Sequence, residues 1–269
     1  MTGVNLAQRT TSSMAVDASV LGGSLATLSI TEILQLRLRV IAGNDSILVG
    51  DHFDVQPRTD DRVVIQGDLS TYHGIGSRWS DGELLVEGNV GDGFASRMSG
   101  GEVHLHGDAG HKTAQQMRGG MLNITGNVGD DLGCPLHGRR SGFSGGTIHV
   151  IGNAGDHAGY RMRRGMMILQ GNCGQFVGCD LVAGTILITG SVASDLAIGM
   201  HRGTVIVPHG TDFSPLRFTP SESHRLSIAT ILADDLQTRL PMVAAALRSN
   251  ITRSLGDLTC GGRGEIWFY

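Results

Sequence analysis

Lysine is almost missing from this chain of 269 residues: of its 21 basic residues, only Lys112 is not an arginine. Proline occurs 6 times, and Trp, Tyr and Phe 2, 3 and 7 times. With proline this scarce and no serine runs, collagen and flexible low-complexity chain are excluded. The 4 cysteines, Cys134, Cys173, Cys179 and Cys260, form no CxxC pair and are too few for a disulfide framework in a chain of this length, so a reducing cytoplasm is the expected location. No run of 18 apolar residues exists, and the opening MTGVNLAQRTTSSMAVD lacks the apolar core and basic start of a secretory leader. A net charge of −4 and a pI near 6.2 argue against a nucleic-acid or anionic-membrane protein as the overall reading. The missing lysine resembles the codon bias of a GC-rich bacterial genome.

What the chain has in excess is glycine, 41 residues, beside an apolar share of 40% that is ample for a folded core. The glycines are periodic. Gly67, Gly88, Gly107, Gly126, Gly152, Gly171 and Gly190 are followed by Asp, Asn or Ser, at intervals of 21, 19, 19, 26, 19 and 19. A second set, Gly82, Gly101, Gly120, Gly146, Gly165, Gly184 and Gly203, lies 13 residues after each ordinary anchor. Between each glycine of this second set and the next anchor run short alternating segments such as EVHLH, MLNIT, TIHVI and TILIT, the pattern of a strand with one buried face.

The residues two and four before each anchor are apolar in every frame: Val63 and Ile65, Leu84 and Val86, Val103 and Leu105, Leu122 and Ile124, Ile148 and Val150, Met167 and Leu169, Ile186 and Ile188. The positions between them are mixed, including His104, Asn123 and His149, and are expected to face outward. Two further small or apolar positions recur, one running from Leu69 to Val192 and one from Trp79 to Met200, so each frame offers three inward segments separated by glycine corners. Such a frame cannot bury itself alone and must stack on its neighbours. The expected fold is all-β: a right-handed parallel β-helix of about seven 19-residue coils, on the order of 34 Å long at about 4.8 Å per coil. The corner glycines are expected at φ > 0, where a Cβ costs about 1–2 kcal/mol. Asp68, Asn89, Asp108, Asn127, Asn153, Asn172 and Ser191 should form a polar ladder between coils.

Four segments are expected: a disordered tail over 1–15, an N-terminal cap and lead-in coil over 16–62, the repeats over 63–210, and a C-terminal extension and cap over 211–269. SITEILQL reads as a short helix with Ser29 and Glu32 as a capping box, and ILVGDHFDV as an irregular first coil. LSIATILADDLQTRL reads as a helix, MVAAALRSNITRSL as its continuation after Pro241, and GDLTCGGRGEIWFY as glycine turns with a last strand.

No catalytic constellation is legible. GNVGDG and GNAGDH lack both GxGxxG and the lysine of a phosphate loop. His104 and His106 share a strand face, but His149 would sit two coils from His104, about 9.6 Å away, too far for both to ligate one ion. No GxSxG elbow is present. The one irregular frame, from Gly126 to Gly152, carries seven extra residues in GDDLGCPLHGRRSGFSGG. Its Arg139 and Arg140, with Arg118 one coil below and Arg161, Arg163 and Arg164 one coil above, are expected to form a basic edge for an acidic partner surface or a polyanionic tail.

GNVGDGFASRMSGGEVHLHGDAG, GYRMRRGMMILQGNCG, VAGTILITG and GMHRGTVIV, with the GDL…GGRGEI tail, resemble the family of the glycine-repeat, C-type component of formylmethanofuran dehydrogenase over roughly Leu25 to Ile266. The repeats are also similar to the C-terminal β-helix of the glutamate synthase large subunit, which is a domain of a far longer chain. The resemblance implies a non-catalytic scaffold in a cytoplasmic one-carbon complex. In archaea that complex is a tungsten or molybdenum dehydrogenase. In methylotrophic bacteria it is a formyltransferase/hydrolase complex, which takes the formyl group of formyl-tetrahydromethanopterin through a methanofuran-like carrier to formate in formaldehyde oxidation. Implied partners are amidohydrolase-like, formyltransferase and dehydrogenase-B-like subunits, in a hetero-oligomer without nucleic acid or membrane. Catalytic metals and the carrier are implied on those partners, so no cofactor, metal or catalytic residue is expected in this chain. Carriers of this family bear glutamyl residues, which implies an acidic ligand near the complex. The bacterial reading is favoured by the arginine bias. The other class of function is a stand-alone carbohydrate-active β-helix enzyme.

Overall fold

Half-buried strands need a partner along each edge and a cover over one face. The computed structural model describes residues 3–269 and is mostly β structure with few helices. Eight strands lie side by side in sequence order: Val63–Gln66, Glu83–Glu87, Ser99–His106, Gly119–Ile124, Ser144–Val150, Arg164–Leu169, Thr185–Ile188 and Thr204–Val207. Every neighbouring pair among them is parallel, and the register sets Val103, Leu122 and Ile148 in one row and Leu105, Ile124 and Val150 in the next. The sequence rows two and four before each anchor therefore coincide with structural rows, and all fourteen of their side chains are buried.

Two other runs join the same frames. Leu69, Val90, Ala109, Val128, Ala154, Cys173 and Val192 form a line of single parallel bridges. The following run places alternate residues at φ > 0: Gly93, Ala95 and Arg97, then Lys112, Ala114 and Gln116, and later His157, Gly159 and Arg161. The middle position of each triplet points into the core, where Ala95 and Ala114 are fully buried, and it holds nothing larger than alanine: Gly76, Ala95, Ala114, Gly133, Gly159, Gly178 and Ala197. This run hides from period-2 and period-3.6 searches alike because its conformation is neither strand nor helix.

The polar ladder is made of side-chain oxygens that take the backbone N–H of the next frame. Asn89 Oδ1 accepts from Asp108 (2.9 Å), Asp108 from Asn127 (2.6 Å), Asn127 from Asn153 (2.9 Å), Asn153 from Asn172 (2.8 Å) and Asn172 from Ser191 (3.0 Å). Asp68 stands outside it and accepts from Ser70 in its own turn. A parallel column absent from the sequence reading runs beside it: His73 Nδ1 accepts from the N–H of Asp92, Asp92 from His111, His111 Nδ1 from Asp130, Asp130 from Asp156 and Asp156 from Gln175.

The ends differ from expectation. Residues 1–15 are not a disordered tail as far as they are described: Val4–Gln8 is a strand, parallel to Val63–Gln66 on one edge and antiparallel to Phe53–Pro57 on the other. Val4 and Leu6 extend the inner apolar rows and are buried, so the segment is tied down by the same alternation that marks the repeats. Only residues 1 and 2 lie outside the described residues. ILVGDHFDV is not a coil of the repeat: it becomes the strand Ser46–Leu48, one helical turn over Val49–His52 and the antiparallel edge Phe53–Pro57. Ser46–Leu48 belongs to a smaller sheet with Arg37–Val40, Val16–Asp17 and Tyr72–His73. The helix Ile30–Leu34 has the capping box, Ser29 Oγ accepting from the Glu32 N–H and Glu32 Oε2 from the Ser29 N–H.

At the other end Gly264–Phe268 adds in parallel to Thr204–Val207, and Ile251–Gly256 and Glu222–His224 close the 13-stranded sheet with antiparallel turns. ITRSL is thus a strand and not the end of a helix: the helix that starts at Pro241 stops at Leu247. The helices Ser227–Leu236 and Pro241–Leu247 lie on the outer face of the sheet. There Ile168, Leu187, Ile206 and Trp267 pack with Ala229, Ala233, Leu236, Val243, Ala244 and Leu247 in a second core. The in-between positions therefore point outward, yet in the later frames they are buried under these helices.

Candidate functional site

The seven extra residues, 135–141, leave the regular stack after Cys134, and the chain rejoins it at Phe143, whose N–H bonds Gly133 O, so they add a wall where the other frames have only a corner. Leu136, His137 and Arg139 stand on that wall and line two neighbouring clefts. The first, about 650 Å³, is bounded by Arg78, Arg97, Arg118 and Arg139, with Ser99 and Gln116 between them. The second, about 310 Å³, lies across Leu136 and His137 from it and includes Lys112, Asp131, Cys134, Tyr160 and Arg161. A third cleft of about 740 Å³ continues from Arg78 and Arg97 toward Asp17 and Ser24.

Of the six arginines expected on the basic edge, the structure brings Arg118 and Arg139 together in one cleft and sets Arg161 in the next. Arg140, Arg163 and Arg164 are exposed and line neither. Arg161 is also neutralised locally, its Nε 3.2 Å from Asp180 Oδ2 and its guanidinium 5.2 Å from the Tyr160 ring centre. The edge instead gains Arg78 and Arg97, which sequence reasoning missed. They occupy one row with Gln116, Arg161 and Asp180, all at φ > 0, and the N–H of each is taken by the frame above: Arg78 to Ser96 O (2.8 Å), Arg97 to Gln115 O (2.8 Å), Gln116 to Cys134 O (3.0 Å). The signal that could have found them is positional: Arg97, Gln116 and Arg161 each lie nine residues after an anchor glycine. Among the described residues, none of Arg78, Arg97, Arg118 and Arg139 makes a side-chain hydrogen bond or ion pair.

The other titratable groups serve the stack. His104 sits beside Glu102 (3.5 Å) and Asn123, while His149 bonds Gln170 (2.8 Å) and is held below the usual imidazole range by burial, aided by Arg239. Among the described residues no group of three or more His, Cys, Asp or Glu side chains could hold a metal ion. Burial pushes the Cys134 thiol up to about 11, with Asp131 adding to it, and the Cys173 thiol up to about 12, so neither is an activated nucleophile. Asp257 is the most constrained carboxylate. It is fully buried and accepts from the Gly199 N–H (3.0 Å), Arg217 Nη1 (2.8 Å) and the Thr259 N–H (2.8 Å) and hydroxyl (2.7 Å), clasping the C-terminal segment to the last frame. No described helix is long and apolar enough to cross a membrane.

Set beside known proteins, the chain matches no family model and no curated protein sequence. Among solved structures it is similar to a chain of the formyltransferase/hydrolase complex (FhcABCD) from Methylorubrum extorquens, whose X-ray structure was determined in complex with methylofuran. The identity is 31%, the match covers 98% of each chain, and the TM-score is 0.89. At that identity over nearly the whole length of both molecules, this chain belongs to the family of the formyltransferase/hydrolase complex component it matches.

Proposed function

We propose that the chain is a non-catalytic structural subunit of a bacterial formyltransferase/hydrolase complex. The observation that carries this reading is the 31% identity over 98% of both chains to a member of such a complex. Its frames wind as a right-handed parallel β-helix of about seven 19-residue coils, a rigid prism on which partners are held at fixed spacing. The reading is supported by where the polar side chains go: the Asn row and the His and Asp column are spent on frame-to-frame hydrogen bonds, as a stacked scaffold requires. The bacterial complex is favoured over the archaeal dehydrogenase by the arginine bias and by the source of the similar structure. The work of the complex is then done on its other subunits, amidohydrolase-like, formyltransferase and dehydrogenase-B-like, with the carrier and the catalytic metal there. The basic edge of Arg118, Arg139, Arg140, Arg161, Arg163 and Arg164 faces an acidic partner surface or the tail of a methanofuran-like carrier.

A tagged chain purified from its native host should bring formyltransferase and amidohydrolase-like subunits with it, and the chain alone should neither transfer nor hydrolyse formyl groups. Turnover by the lone chain, or its recovery without such partners, would overturn the reading. Single arginine changes should be nearly silent, since an exposed ion pair contributes about 0–1 kcal/mol and weakens with salt. Reversing Arg139, Arg140, Arg163 and Arg164 together to Glu should impair assembly or carrier affinity in a salt-dependent way; an unchanged complex would reduce the edge to a solvated face.

A further inference from the structure

We infer that the cleft bounded by Arg78, Arg97, Arg118 and Arg139 is a binding site for an acidic peptide segment of a partner protein, read by its carboxylates. The inference rests on the reading of the chain as a scaffold within a protein complex, and it joins Arg78 and Arg97 to Arg118 and Arg139 of the edge marked by sequence. Four guanidinium groups converge on about 650 Å³, no acid lines it, and none of the four has a side-chain partner among the described residues. The whole chain carries a net charge of −4, so this cluster is not one part of a general basic excess. Like charges held this close repel one another, and the arrangement is stabilised when anions enter.

The form of the site narrows the ligand. Phosphate groups are commonly gripped by free backbone N–H groups at tight turns or helix starts. Here most of those donors are already used: the N–H groups of Arg78, Arg97 and Gln116 bond the next frame, that of Ser99 bonds Trp79 O, that of Arg118 bonds Met98 O and that of Arg139 bonds Leu136 O, which leaves only those of Leu136 and His137 on the wall. The donors that dominate the cleft are the four planar side-chain forks, which match carboxylates two bonds at a time. Arg78 and Arg97 stand one frame apart in one row, about 4.8 Å, and Arg118 lies in the next frame two positions beyond Gln116 of that row, so the forks come from successive frames. No Phe, Tyr or Trp lines this cleft and His137 is its one ring, so it lacks the row of aromatic faces on which successive bases of a single strand stack. The insertion supplies Leu136, His137 and Arg139 as a wall on one side, so the ligand lies in a groove and not on a flat face.

The test is binding of a fluorescent eight-residue Asp/Glu peptide to the full-length chain at low and physiological salt, with inorganic tripolyphosphate and a short single-stranded RNA as competitors. The double variant Arg97→Gln/Arg118→Gln should weaken peptide binding about tenfold and flatten its salt dependence. Glutamine already stands in the Arg97 row at Gln116, and Arg118 is exposed, so both changes are compatible with the local backbone. Arg202→Gln/Arg225→Gln, exposed and outside both the cleft and the edge, should change binding less than about twofold. Absence of peptide binding at low salt, equal losses from the two double variants, or more effective occupation by tripolyphosphate or RNA would each overturn the assignment. Recovery of the other members of the complex with the Arg97→Gln/Arg118→Gln chain is scored separately: peptide binding that fails while the partners still co-purify removes this inference and leaves the scaffold reading standing.

Discussion

Single residues in this protein derive their cost from the frame beside them. Gly165 and Gly82 occupy the same corner of different frames, at φ of 91° and 72°. A Cβ at Gly165 would lie 2.6 Å from the Gly146 carbonyl oxygen and 2.7 Å from Phe143 Cζ, whereas at Gly82 nothing stands within 4 Å. Gly82→Ala should therefore cost only the backbone term, about 1–2 kcal/mol, because the conformation alone is disfavoured. Gly165→Val should be at least as damaging as a core truncation, about 2–5 kcal/mol, since a backbone carbonyl cannot step aside. Urea unfolding of the two variants measures the difference, and equal losses would mean that the corner is not packed as described. Asp257 provides a second case. Burial by itself would raise its pKa, but the Gly199 N–H, the Thr259 hydroxyl and Arg217 outweigh that and bring it to about 2, from an ordinary 3.8. A carboxyl whose folded value is depressed contributes stability above its unfolded pKa and loses it as pH falls through the folded one. On the order of 2 kcal/mol should thus be present above about pH 4 and fade toward pH 2. Asp257→Asn lacks this dependence, so the stability gap between wild type and variant should narrow between pH 5 and pH 2 in unfolding curves taken at fixed pH steps.

At the scale of the element, a strand here has two faces with different histories. Ile124 and Asn123 are neighbours on Gly119–Ile124; Ile124 is buried in the inner core, and Asn123 is half-buried on the outer face beside His104. Ile124→Ala should cost about 2–5 kcal/mol and Asn123→Ala well below that. The outer position is not cheap everywhere. Leu187, three frames later in the Asn123 row, is fully buried beneath the two C-terminal helices, so Leu187→Ala should cost as much as Ile124→Ala. A Leu187 variant that behaved like the Asn123 one would show that the helices do not stay on the sheet. The helices themselves are short and have no side-chain N-cap hydrogen bond, so their stability comes from this packing rather than from their ends. The change along the row from His104, Asn123 and His149 to Ile168, Leu187 and Ile206 was present in the sequence. It reads as scatter until one knows that something covers the later frames.

Across the whole molecule, the part legible from sequence is the part governed by a repeat. Alternating Val, Leu and Ile around the anchor glycines gave the inner rows, and small residues near them gave the bridge line, because each frame sees the same neighbours at the same spacing. The resemblance to the one-carbon family rested on those frames and their glycine text, and the match over 98% of both chains agrees with it at the level of the complex. The ends were harder. Val4–Gln8 was missed because five residues in isolation carry no period, and Ile251–Gly256 because an apolar stretch after a helix reads as more helix. The candidate site was only partly legible for a related reason. Charge clustering in the sequence pointed to Arg118, Arg139, Arg140, Arg161, Arg163 and Arg164, but proximity in a stack follows row and not chain order. Stacking brings Arg78 and Arg97 beside Arg118 from successive frames, while Arg140, Arg163 and Arg164, close by in sequence, do not line that cleft. The sequence by itself determined which residues face the core and that the frames must stack, since burying apolar area at a fixed period admits few other solutions. Only the tertiary structure decided which face the C-terminal helices cover and which arginines share a cleft, since both depend on contacts between segments with no common period.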